Sequence, residues 1–178
     1  AVLFIAGEGF LLDQEEANQD AFRIKAESFY RRLVTEYPQH PRVVSANLRI
    51  SWCQYQGKKY NESLALLTPL LPTLKEPSQK ADAHFLVGRN LSELKREQDA
   101  VNAYSLALAA DPQWPRRDEV LLASGGSYRK LKNLPAAIGR FQELCSKYAE
   151  SGYRAQALFE LGEIAQEEAK YDVAITHF

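Results

Sequence analysis

The sequence predicts an all-α protein, a solenoid of antiparallel helix pairs with about nine or ten helices. Three observations carry this prediction. Four columns of residues recur every 37 positions: Ser51, Gly88, Gly125, Gly162; Ser63, Ala100, Ala137, Ala174; Leu67, Tyr104, Phe141, Phe178; and Ile50, Val87, Ser124, Leu161. Within a unit, a small residue is followed by a second small one 12 positions later and by a large, mostly apolar one 4 after that, which suits two helices whose backbones touch. Prolines and glycines also fall where helices would start and stop. A fixed period of this size marks a stack of helical repeats.

The elements follow in order. The apolar opening AVLFIAGEGFLL reads as a first helix. Gly7 precedes Ala26 by 19 residues rather than 12, so this helix is expected to be about two turns longer and to end near Ala17. Ala26 lies 37 before Ser63 and, with Tyr30 and Leu33, fixes a second helix from Asp20 to Tyr37. Pro41 suits the first turn of a helix running to about Tyr55, which Gly57 ends. The helix opening near Asn61 meets Pro69 and Pro72 and must kink or end early. Ser78, after Pro77, is a candidate N-cap for a helix through Leu94. A second helix carrying Ala100, Tyr104 and Ala107 closes at Asp111-Pro112, and QWPRR lengthens the connection to the helix from Asp118. Pro135 fits the first turn of the helix Ala136 to Lys147. The last unit opens at Ala155 and reaches Phe178 midway along its second helix. The whole chain therefore reads as one solenoid over 1–178, with units at 1–40, 41–77, 78–114, 115–151 and 152–178.

The unit ADAHFLVGRNLSELKREQDAVNAYSLALAADP, Ala81 to Pro112, closely resembles a tetratricopeptide repeat through Gly88, Leu91, Ala100, Tyr104, Ala107 and Asp111-Pro112. The unit from Asp118 has the same order in Gly125, Tyr128, Ala137 and Phe141, with Leu144 and Ala149 replacing the closing small residue and proline. The unit from Ala155 has Leu161, Gly162, Tyr171, Ala174 and Phe178. The unit from Val44 keeps Tyr60, Ser63 and Leu67 but carries Ser51 in place of the glycine. The resemblance covers residues 41 to 178 and implies a right-handed α-α superhelix whose first helices line a concave, partner-binding face.

Composition narrows the function. Lys plus Arg is 22 against Asp plus Glu 23, so the chain has no overall bias toward phosphate backbones, and nucleic acid is not an expected partner. No segment approaches the roughly 18 to 20 apolar residues of a membrane helix, so no direct membrane span is expected. Cys53 and Cys145 fall about two and a half units apart, about 20 Å or more at the spacing of packed helices. That is beyond disulfide reach, and both should be reduced thiols. His40, His84 and His177 are scattered, with His84 at an expected packing position. GEG near the start follows no strand and is no phosphate loop. The pairs Glu15-Glu16 and Glu167-Glu168 suit solvated faces. No nucleophile has a base partner at a recognisable spacing, so neither enzymatic activity, a metal nor a cofactor is expected.

A binding surface is expected instead. One turn from the packing column the first helices carry Leu48, Phe85, Leu122 and Phe159; a second inward row reads Trp52, Arg89, Gly126, Glu163, and a third Tyr55, Ser92, Arg129, Gln166. The apolar row serves packing or partner contact. Trp52, Tyr55, Arg89 and Arg129 are residue types enriched at interface hot spots, and Gly126 would leave a notch. The candidate contact set is therefore Leu48, Trp52, Tyr55, Phe85, Arg89, Leu122, Arg129, Phe159 and Glu163. Members of the family that grip a chaperone's acidic tail use Lys and Asn where this chain has Leu48 and Trp52, which argues against that partner.

FYRRLVTEYPQHP and the segment from Phe141 to Phe178 are similar to repeats of bacterial cell-envelope proteins, the periplasmic coordinators of the Tol-Pal type and the lipoproteins of outer-membrane protein assembly. This resemblance implies a periplasmic scaffold, with the cytoplasm as the alternative compartment. The absence of methionine, even at residue 1, suggests a chain cut from a longer one. The functions expected are a non-enzymatic scaffold holding a peptide or helix of a protein partner, a spacer or self-assembling module joined through its solenoid ends as a homo-oligomer, or the binding domain of a larger enzyme.

Overall fold

The computed structural model describes residues 2–12 and 19–167. Among these residues the chain forms nine α-helices and one short 3-10 turn, without a strand. The helices are α1 (Val2–Leu12), α2 (Gln19–Glu36), α3 (Val43–Gln56), α4 (Tyr60–Leu70), α5 (Pro77–Glu93), α6 (Glu97–Ala110), α7 (Arg117–Lys130), α8 (Leu134–Lys147) and α9 (Arg154–Glu167). Each packs on its neighbours in sequence, while α3 also touches α5 and α5 touches α7. The first helices of successive pairs thus form one continuous face, the arrangement expected from the 37-residue columns.

The columns sit where the helices meet. A Cβ on Gly88 would lie 2.4 Å from the Tyr104 ring, and one on Gly125 2.4 Å from the Phe141 ring. Ser63, Ala100 and Ala137 are all fully buried beside them. Gly7 plays the same part for the first pair, because a Cβ there would lie 2.6 Å from the Tyr30 ring. In the unit where Ser51 replaces glycine, the partner is the smaller Leu67, and the contact is polar. Ser63 Oγ donates to the Ser51 carbonyl at 2.9 Å, and the Asn90 amide donates to Ser63 Oγ at 3.0 Å.

Several local expectations change. Pro77, not Ser78, opens α5, with Glu76 as the cap residue, since proline's missing donor is unneeded in the first turn. Pro41 lies in the turn before α3 rather than inside the helix. Pro69 sits in the last turn of α4, which passes into the 3-10 turn Leu71–Thr73, so this helix does end early. The expected extension of the first helix to Ala17 falls outside the described residues, as do Tyr171, Ala174, His177 and Phe178.

The turns α3–α4, α5–α6 and α7–α8 use one backbone device. Lys58, Lys95 and Lys132, again 37 apart, have φ of 58°, 62° and 60°. The left-handed residue lets the chain reverse while its amides cap the preceding helix, for example Lys95 N–H to the Ser92 carbonyl at 3.0 Å and Arg96 N–H to the Leu91 carbonyl at 2.9 Å.

Candidate partner-binding groove

Two cavities open along the first-helix face. The first, about 190 Å³, is lined by Phe4, Ser45, Leu48, Arg49, Trp52, Gln79, Asp82, Phe85, Leu86 and Arg116. The second, about 490 Å³, is lined mainly by α5, α7 and α9, including Arg89, Glu119, Leu122, Gly126, Lys130, Tyr153, Gln156 and Glu160. Most of their lining residues fall in five rows at the repeat period, 42/79/116/153, 45/82/119/156, 48/85/122/159, 49/86/123/160 and 52/89/126/163, with Ser92, Ser127 and Lys130 among the others. Within a helix these positions form one stripe at helical spacing.

Of the residues expected from sequence, Leu48 and Trp52 line the first cavity and Arg89 and Leu122 the second. Phe85 also lines the first cavity, as a fully buried ring packed against Tyr104 and edge-on to Trp114 with ring centroids 5.7 Å apart, so it forms part of the cavity floor. Phe159 is 53% exposed on α9 and lines neither of the two cavities. Nothing lies within 4 Å of a Cβ built on Gly126, which makes this the expected notch.

The polar members are tied to one another. Both Nε and a terminal nitrogen of Arg89 donate to Tyr55 Oη, at 2.9 and 2.7 Å, and another terminal nitrogen meets Glu119 at 3.1 Å. Burial alone would lower the Arg89 pKa, but the Tyr55 and Glu119 partners hold it above its usual value. Arg129 bridges Glu160 at 2.7 Å, Glu163 at 3.9 Å and Glu167. Below Arg89, burial raises the Glu97 pKa and hydrogen bonds from Ser127, Lys130 and Ser92 outweigh it, leaving the carboxyl below its usual range. These links join α3 to α5, α5 to α7 and α7 to α9, so the face is stitched unit to unit.

Sequence reasoning missed Arg116, Asp82 and Glu119. Arg116 comes from the QWPRR connection, where Trp114 is 96% buried and anchors the turn. Its guanidinium lies 4.8 Å from the Phe85 ring centroid, 5.4 Å from Trp52 and 5.7 Å from Trp114. The signal was present: the rows through Asp82 and Arg116 share the 37-residue period but begin one and two turns, respectively, ahead of the row through Leu48.

Cys53 is buried, and burial pushes its thiol pKa up to about 12, as an inert packing cysteine requires. Burial and Lys80 lower the His84 pKa. Among the described residues no cluster of His, Cys, Asp and Glu could hold a metal ion, and no helix is long and apolar enough to cross a membrane.

The family profile of YfiO, described as an outer membrane lipoprotein, matches residues 13–178. A search of curated proteins finds no match. Among solved structures, MamA is similar at a TM-score of 0.74 and 17% identity, over 94% of this chain and 91% of its own. Apo RapI is similar at a TM-score of 0.81 and 18% identity, over 99% of this chain and 66% of its own. The Rap conjugation gene regulator of plasmid pLS20, solved with the Phr* peptide, is similar at 0.69 and 18% identity, over 98% of this chain and 50% of its own.

Proposed function

The chain belongs to the YfiO family of outer membrane lipoproteins, and from that membership we propose a non-enzymatic scaffold of the bacterial cell envelope that receives an extended peptide or a helix of a protein partner along its first-helix face. The observation that carries this reading is the contrast between the two kinds of 37-residue column. Two packing columns hold small residues in every unit, Ser51, Gly88, Gly125, Gly162 and Ser63, Ala100, Ala137, Ala174, and a third holds a large one, Leu67, Tyr104, Phe141, Phe178. Four of the five groove rows vary in size or charge, the row Leu48, Phe85, Leu122, Phe159 staying apolar, and members of the five rows line two cavities of about 190 and 490 Å³. A peptide complex exists for one structure of the same fold, the pLS20 Rap regulator with Phr*.

Site-specific photo-crosslinking in the full-length protein in its native host tests the reading. A benzoylphenylalanine at Gly126, in the open notch, should capture a discrete partner, whereas the same group at Asn102, exposed on the second helix α6, should not. Capture from Asn102 alone would sink the groove assignment. A second reading, end-to-end self-association, draws on Val2 and Ile5 of α1, which are 80% and 62% exposed. Light scattering across concentration separates it, because a strict monomer excludes it.

A further inference from the structure

Asp82 is the loosest charge in the first cavity. Its side chain is 42% exposed, and its nearest cation, an Arg116 terminal nitrogen, is 3.7 Å away. Burial pushes its pKa up, and Arg116, the Trp114 hydrogen bond and the charge of Arg49 only partly oppose that, so the carboxylate is under-compensated where it stands. The two arginines of the cavity are committed elsewhere. Arg49 holds Glu8 through two contacts of 2.7 and 3.1 Å, and Glu8 also accepts the Tyr30 hydroxyl at 2.6 Å. Arg116 holds Glu119 through two contacts of 2.9 Å and lies against three aromatic rings. An incoming carboxylate would have to break one of these paired contacts. An incoming cation meets Asp82, whose carboxylate holds only the Trp114 hydrogen bond and the 3.7 Å contact with Arg116.

The remaining walls are apolar. Leu48 and Trp52 from α3 and Leu86 from α5 flank the space, and about 190 Å³ accommodates one long side chain. We propose that this cavity takes a lysine or arginine side chain of the bound partner, its methylene stem lying on Leu48, Trp52 and Leu86 and its cationic head on Asp82. The inference rests on the groove reading above and adds to it the identity of one anchoring residue of the partner.

The probes are the Nα-acetyl N-methylamides of lysine, norleucine and glutamate, titrated into the isotopically labelled protein at low salt while the Trp52 indole and Leu86 amide NMR signals are followed. The lysine derivative should bind about fivefold more tightly than norleucine, the ratio a half-exposed ion pair supports, and glutamate should be weakest. Asp82→Asn should bring lysine and norleucine together and leave norleucine unchanged. Glutamate binding as tightly as lysine would overturn the proposal, as would an unchanged lysine preference in Asp82→Asn or the absence of shifts at Trp52 and Leu86 with all three probes. The comparison of the three probes on the unaltered protein stands even if the variant fails to fold. Crosslinking from Gly126 reads the groove independently, so its persistence beside a missing lysine preference would reject the anchor alone.

Discussion

The α3–α4 and α7–α8 contacts solve one packing problem in two ways. At α7–α8, Gly125 makes room for the Phe141 ring, and no Cβ fits between them without a shift. At α3–α4 the same columns hold Ser51 and Leu67, both fully buried, and the space the smaller Leu67 leaves is used by a serine Cβ and by the Ser63–Ser51 hydrogen bond. The difference teaches that the combined volume of the two positions sets the approach of the helices, and neither residue does so alone.

That comparison can be broken most severely at the aromatic. Phe141→Ala should cost about 3 to 5 kcal/mol in urea unfolding, because a fully buried ring is removed from a glycine-lined slot that cannot collapse further. Gly125→Ala should cost about 1 to 3 kcal/mol through overpacking, offset by up to about 1 kcal/mol of helix propensity. Adding Phe141→Leu to Gly125→Ala should recover most of that loss by recreating the pairing of Ser51 with Leu67. A double variant as unstable as the sum of the two single ones would refute the volume argument. Ser63→Ala should cost about 1 kcal/mol, since it removes the bond to the Ser51 carbonyl and one of the acceptors of the buried Asn90 amide. The mildest change has the opposite sign. Lys132→Gly should stabilise by about 0.5 kcal/mol, because φ of 60° strains a lysine and suits glycine. An equal gain at Lys58 and Lys95 would show that these three turns, unlike the contacts they join, are alike.

Most of the fold was legible because helix contact demands small residues at a fixed spacing, and the period repeated that demand where it could be counted. Gly7 was recognised as belonging to the pattern even though its spacing broke the rule. The left-handed lysines were not foreseen, since glycine is the residue such a turn prefers and lysine gives no warning. The groove was legible in part. Leu48 and Leu122 lie one turn off the packing column and Trp52 and Arg89 one turn beyond them, whereas Asp82 and Arg116 extend the same stripe toward the helix N-termini, in rows that the packing columns do not mark. What supports Phe85 was not legible: Trp114, from a connection of unusual length, packs edge-on against its ring beneath the first cavity. A loop's return path leaves no periodic trace.

The contact of Gly7 with Tyr30 has a consequence for how such chains tolerate change. The two residues are 23 positions apart, whereas Gly88 and Tyr104, or Gly125 and Phe141, are 16 apart. By loop-closure entropy seven more intervening residues cost only about 0.3 kcal/mol, so inserted sequence between the two halves of a hairpin is nearly free as long as both halves keep their complementary shapes. New segments are therefore most cheaply accepted there, at the bends, without altering the stack or the surface it presents.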